Sequence, residues 1–213
     1  MDTHDPDQKD SGWRGSREGW LTAARDAFVE AGLDAVKIQP LAARLNLSRT
    51  SFYWFFKDRG ALLDALLDDW EATNTASLIT AAEAYAETIG EAVLNLIGIF
   101  LDDGPFASGL DLAVRGWAHQ SEAVAARVNA ADAARLDAIR RMFGRFGFAE
   151  GEADVRARTV YLVQIGYISM QVREDMATRM ARIPDYVKTF SGLPASDREL
   201  RRFHALHGFQ PAA

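Results

Sequence analysis

Apolar residues recur along this chain at intervals of three and four rather than two, the spacing of a single buried stripe on an α-helix. Leu21, Ala24, Phe28 and Ala31 form the first stripe, and Gly32 follows where a helix end favours a residue tolerant of positive φ. Beyond Val36, Lys37 and Ile38 the segment from Gln39 to Leu45 reads as a second helix. Pro40 is tolerated there because it falls in the first turn, where its missing N–H has no intrahelical partner. Asn46 interrupts, being one of the few non-glycine residues that enters the left-handed region cheaply, and the Ser48 hydroxyl is placed to cap a third helix from Arg49 to about Phe56. Asp58 is placed to cap a fourth, with the stripe Leu62, Leu63, Leu66, Leu67 and Trp70.

The pattern then coarsens into longer helices, expected over Ala86 to Leu101, Ser108 to His119, Glu122 to Arg145, Glu152 to Asp175, Ala177 to Thr189 and Asp197 to His207. Gly104 and Pro105, the segment from Gly147 to Gly151, and Gly192 to Pro194 break the stripes between them. The fold class is all-α. Its expected division is a disordered tail over 1–15, a compact helix–turn–helix domain over 16–60 and a larger helical domain over 61–213.

Composition narrows the function classes. With 48% hydrophobic and 25% charged residues the chain should bury a core, and with no cysteine it has no disulfide framework, thiolate metal site or cysteine nucleophile. A net charge of -6 argues against a protein whose whole surface grips nucleic acid. One segment departs from that balance: no acidic residue stands between Asp34 and Asp58, while Lys37, Arg44, Arg49 and Lys57 do, with Arg59 just beyond. Met1 to Gly12 is rich in Asp and lacks the apolar stretch of a signal peptide. The most apolar run, Ala92 to Leu101, is about half the roughly 20 residues of a membrane helix, so a soluble, cytoplasmic protein is expected.

The charge-cleared segment is also the helix–turn–helix, and a short helix opening on small polar residues is what the DNA major groove, about 12 Å wide, admits. An ordinary helical corner with a chance gap in acidic residues is the alternative. The run Phe52-Tyr53-Trp54-Phe55-Phe56 bears on the choice, because five consecutive aromatics cannot all reach one core. Phe52 and Phe56, four apart, suit the core; Tyr53 and Trp54 then face outward, where a phenol and an indole can donate to phosphates.

Leu41-Ala42, Leu47-Ser48, Tyr53, Phe56 and Leu62-Leu63 at this spacing resemble the DNA-binding domain of the TetR family of transcriptional regulators, over about residues 17 to 70. The resemblance implies a homodimeric repressor on double-stranded operator DNA, with a C-terminal helical domain for ligand binding and dimerisation that takes a small-molecule effector, and no cofactor or metal. It also implies roles: Arg49, Thr50 and Ser51 would read bases, Tyr53, Trp54 and Lys57 would hold phosphates, and Arg59 takes the basic position opening the fourth helix. Gln39 and Ser48 complete the DNA-facing set, and Lys37 offers an ammonium where a capping hydroxyl is usual. Asn46 stands where glycine is usual and Phe55 where histidine is frequent.

The larger domain has none of the Gly-rich, His-Glu-x-x-His or Gly-x-Ser-x-Gly motifs of common enzymes, and His204 and His207 lack an identifiable third ligand. Phe100, Trp117, Tyr161, Gln164 and Ile168, with Asn95 as a polar group, are the residues expected around a ligand cavity. Arg115 either meets an acidic ligand or pairs with Asp132 or Asp111. Gly166, Ser169, Tyr167 and Gln171, with the helix from Met176 to Ile183, are the expected dimer contact, and the fourth helix is expected to be the only packed path between the domains. Two functions follow: a ligand-responsive DNA-binding repressor that is not an enzyme, or a helical enzyme or ligand carrier with an incidental helix–turn–helix.

Overall fold

The computed structural model describes residues 15–101 and 105–210, and among them every regular element is helical. The expected tail, save Gly15, and Gly104 of the expected breaker lie outside the described residues. Helix α1 (Arg17–Ala31) starts on Ser16, whose hydroxyl accepts from the Gly19 N–H, and ends at Gly32 with φ 78°. A short 3-10 turn leads to α2 (Ile38–Arg44), and Asn46 takes φ 55°, the left-handed turn expected of it. Ser48 caps α3 (Arg49–Phe52) and Asp58 caps α4 (Arg59–Trp70), each through its side-chain oxygen.

Helix α3 is shorter than the pattern predicted, Arg49–Phe52. Past Phe52 the N–H groups of Tyr53, Trp54 and Phe55 each reach back only three residues, so the chain tightens into turns that leave Tyr53 and Trp54 outside and return Phe56 to the core. Phe52 and Phe56 are buried and stacked at 5.5 Å, while Tyr53 and Trp54 are 55% and 63% exposed.

The long connecting helix carries a feature the stripe did not announce. Helix α4 continues through a π-helical turn, Glu71–Thr75, into α5 (Ala76–Glu83). The extra residue turns Asn74 inward, fully buried, where its amide donates to the Ala107 carbonyl at 3.1 Å and accepts from the Ala107 N–H at 3.0 Å. Ala107 precedes a helix that has no capping side chain of its own, so Asn74 supplies it from a distance in sequence.

The remaining helices are α6 (Ile89–Gly98), α7 (Ser108–Ala118), α8 (Glu122–Arg145), α9 (Glu150–Ser169), α10 (Met176–Ser191) and α11 (Asp197–Leu206). Helix α9 stops about a turn and a half before the predicted Asp175, because Gln171 adopts φ 50°. Two apolar cores result. The second is built on α5, α6, the C-terminal half of α8, α9, α10 and α11. The first joins α1 to α4 with Leu110 and Val114 of α7 and Val124, Val128 and Ala131 of α8, so the small N-terminal head and the larger body share it.

Candidate nucleic-acid interface and ligand cleft

The outer face of the head is assembled around α2 and α3. Lys37, Gln39, Ser48, Arg49, Thr50, Tyr53, Trp54 and Lys57 are all exposed. Two of the sequence-derived set are turned elsewhere. Ser51 is buried and its hydroxyl donates to the Ser48 carbonyl at 2.7 Å, so it closes the turn. Arg59 donates to the carbonyls of Val36 at 2.5 Å and Leu33 at 2.8 Å, tying α4 to the turn before α2. Arg44, counted in the basic segment, is also engaged: it forks onto Glu30 at 2.7 and 2.9 Å, and its charge is matched by α1.

Beneath the head lies a buried charge cluster. Asp111 of α7, fully buried, accepts from Trp70 Nε1 at 2.8 Å, Arg115 Nε at 2.7 Å and Arg135 Nη1 at 3.0 Å. Arg115 forks onto Asp132 at 2.7 and 3.0 Å, which settles its pairing: both acids considered for it are its partners. Tyr161 donates to Asp132 at 2.6 Å, accepts from both arginines, and has its phenol pushed up by burial so that it remains a donor. Arg135 also reaches Thr75 in the π turn at 3.0 Å, and its guanidinium lies between the rings of Trp70 and Phe106 at 4.9 and 5.2 Å. Periodicity announces none of this, because these polar groups stand at positions an apolar stripe would fill; the isolated charges in apolar runs were the only signal.

A cleft of about 460 Å³ opens between α7, α9, the start of α10 and the chain that follows α6, lined in part by Phe100, Phe106, Gln164 and Ile168. It brings together three of the six residues expected around a cavity: Phe100, Gln164 and Ile168. Tyr161 belongs to the charge cluster instead, Asn95 lines a separate cleft with Phe203 and His207, and Trp117 faces the head. Tyr167 and Gln171 also line the first cleft, and the Tyr167 hydroxyl bonds that of Tyr186 at 2.9 Å.

Helix α4 is not the only packed path between head and body. Trp117 of α7 meets Phe28 of α1 edge-on at 5.9 Å, and Gly109 lies so close to α1 that a Cβ there would come within 3.0 Å of Val29. Ser108 and Leu112 of the same helix wall the cleft. Cleft and head are thus separated by one helix. Trp117→Ala is expected to destabilise the protein by about 0.5–3 kcal/mol and to speed amide exchange in α1, while leaving binding in the cleft unchanged. Unaltered exchange in α1 would show that the ring contact does not hold the head.

A four-helix head with a solvent-facing helix–turn–helix, seated on a larger helical body with a cleft, defines a two-domain all-α protein of the helix–turn–helix class. Residues 21–66 match the model of the bacterial regulatory proteins of the tetR family. The tetracycline repressor protein class A from transposon 1721 of Escherichia coli is 35% identical over 63 residues, 30% of this chain and 29% of that protein. The matched segment therefore spans less than a third of that curated relative. Over nearly the whole length the fold is shared with Mycobacterium smegmatis AmtR, at TM-score 0.60, 18% identity, 99% of this chain and 100% of that one. It is shared likewise with Salmonella enterica GusR, at TM-score 0.58, 15% identity, 89% of this chain and 94% of that one. Over residues 21–66, then, the head is similar to the DNA-binding segment of the tetR-family bacterial regulatory proteins, and the whole chain shares the fold of the two solved structures.

Proposed function

We propose that the protein is a homodimeric repressor that holds double-stranded operator DNA through the outer face of its head and is released by a small molecule bound in the body. The observation that carries this reading is the exposed set Arg49, Thr50, Tyr53, Trp54 and Lys57, joined by Lys37 and Gln39 on α2. Two large exposed aromatics, Tyr53 and Trp54, beside the exposed cations Lys37, Arg49 and Lys57 suit a phosphate backbone, where aromatic side chains pack while the cations displace counterions. Arg49 and Thr50 open α3, where side chains reach base edges when such a helix enters the major groove. Among the described residues no helix is long and apolar enough to cross a membrane, which supports action on cytoplasmic DNA. The family is one of regulators, and the repressor acts by binding rather than by catalysis.

The test is a gel shift with the DNA flanking the protein's own gene. Arg49→Ala is expected to cost about 1–3 kcal/mol of specific affinity and to relax preference at one base position. Lys57→Ala is expected to weaken all sequences alike and to flatten the salt dependence by about one unit per contact removed. Unchanged affinity and salt slope in both variants would remove the DNA surface from this face.

A further inference from the structure

Three contacts fix where α1 begins relative to α3. A Cβ at Gly15 would come within 2.5 Å of Leu47, the residue before the Ser48 cap, so the backbone there lies against the turn that opens α3. Trp20, fully buried, meets Phe52 edge-on at 5.3 Å, which sets the rotation of α1 about its axis. Arg17 stands three residues earlier on that same face, and its guanidinium carbon lies 5.2 Å from the centre of the Phe56 ring. That ring is stacked in turn on Phe52 at 5.5 Å, and Phe52 meets the outward Tyr53 edge-on at 5.4 Å. Arg17 is exposed all the same, and among the described residues no carboxylate pairs with it. A chain of net charge -6 thus holds a cation against the ring that precedes Lys57. Charge patterning passes over it, because the segment cleared of acids begins only after Asp34 and Glu18 adjoins Arg17.

We propose that Arg17 is a further phosphate-holding residue of the head, carried by α1 rather than by the helix–turn–helix. The proposal rests on the repressor reading, to whose DNA face it adds a contact outside residues 21–66, the segment shared with the family model. Stacking on an aromatic ring engages the flat face of a guanidinium and leaves its N–H edge for a fork onto two phosphate oxygens. The ring also holds a long side chain in place, so less freedom is lost when the phosphate arrives. Phosphate contacts fix register and orientation but carry no sequence information directly. Arg17 therefore adds to the affinity for every duplex and steadies the approach of α3 to the groove. An arginine that only packed on Phe56 would affect the stability of the head and leave the salt dependence of binding untouched.

The experiment is fluorescence anisotropy of the full chain on the DNA flanking its own gene and on an unrelated duplex of equal length, across a range of salt concentrations. Arg17→Gln is expected to lower the salt slope by about one unit for each head, and the affinity by about tenfold for each head near 0.1 M salt, on both duplexes alike. Arg17→Lys keeps the charge and should restore the slope while recovering only part of the affinity, because an ammonium does not fork. Since Arg17 is exposed, the melting temperature of the glutamine variant should stay close to that of the parent. A lower melting temperature with the slope unchanged would assign Arg17 to packing and overturn the proposal. Unchanged affinity in Arg17→Gln would overturn it as well, and so would a loss confined to the operator, the mark of a disturbed α3. Arg49→Ala, run alongside, separates the two readings. A parent that binds neither duplex at any salt refutes the repressor reading and this contact with it, whereas operator binding that falls in Arg49→Ala but not in Arg17→Gln refutes the Arg17 contact alone.

Discussion

Replacing Asp111 with alanine is expected to destabilise the protein by about 3–5 kcal/mol, the loss typical when one partner of a buried ion pair is removed. The carboxylate is fully buried and holds three donors from three helices, Trp70, Arg115 and Arg135. Without it Arg135 stays inside with its charge uncompensated by its nearest acid, and the Trp70 indole N–H loses its acceptor. Native domains are stable by only about 5–15 kcal/mol, so the variant should melt far below the parent. Urea midpoints measure the loss, and one below 1 kcal/mol, on the scale of an exposed pair, would show that water reaches the cluster. The same residue sets an acid limit. Burial acts to raise the Asp111 carboxyl, but Arg135 and Arg115, helped by hydrogen bonds from Arg115 and Trp70, hold it below its ordinary value. A carboxyl depressed in the folded state contributes stability that is complete above its unfolded pKa, about 3.9, and is lost as pH falls through the folded value. The parent is therefore expected to weaken below about pH 4, and Asp111→Asn to weaken less across that window. Parallel pH profiles for the two would clear Asp111 of this role.

Leu162→Glu is expected to give monomers and to lower operator affinity by about a thousandfold or more, to the level of non-specific binding. Val155, Thr159, Leu162 and Gly166 form one stripe on α9, with Val155 and Leu162 62% and 60% exposed and nothing within 4 Å of a Cβ placed at Gly166. Apolar side chains and a small residue in one open row are what a second copy would cover, and paired operator half-sites call for two heads. Tyr167, expected at this contact from the sequence, bonds Tyr186 through its hydroxyl at 2.9 Å. Because Leu162 touches solvent, its replacement should leave the melting temperature of the monomer nearly unchanged, within about 0.5 kcal/mol. A dimeric mass for the variant in sedimentation, or a monomeric parent that binds operator normally, would sink the assignment.

What could be read along the chain follows from how local each cause is. The caps at Ser48 and Asp58 and the left-handed Asn46 depend on a residue and its near neighbours, and all three stand as the pattern predicted. The inward Phe52 and Phe56 and outward Tyr53 and Trp54 likewise follow from spacing alone. Ser51 and Arg59 were legible as polar residues on the right helices but not in their direction, which is set by carbonyls at Ser48 and, across a turn, at Leu33 and Val36. The π turn escaped because its cause, the bond of Asn74 to Ala107, lies 33 residues away. Tyr161 and Gln164 stand one turn apart on α9, yet one meets Asp132 and two arginines while the other lines the cleft. Only the arrangement of neighbouring helices distinguishes them.

The head's apolar core, completed by Leu110 and Val114 of α7 and by Val124 and Val128 of α8, makes the head a poor candidate for recombination as a cassette. A chimaera that joined residues up to the end of α4 to the body of another regulator would face Phe28 and Trp70 with whatever side chains the foreign α7 and α8 presented. On the proposed function, retargeting to a new operator is better done by exchanging only the solvent-facing residues of α2 and α3. Those positions can vary without disturbing the seam, whereas Phe28, Val29, Gly109 and Trp117 must change together or not at all.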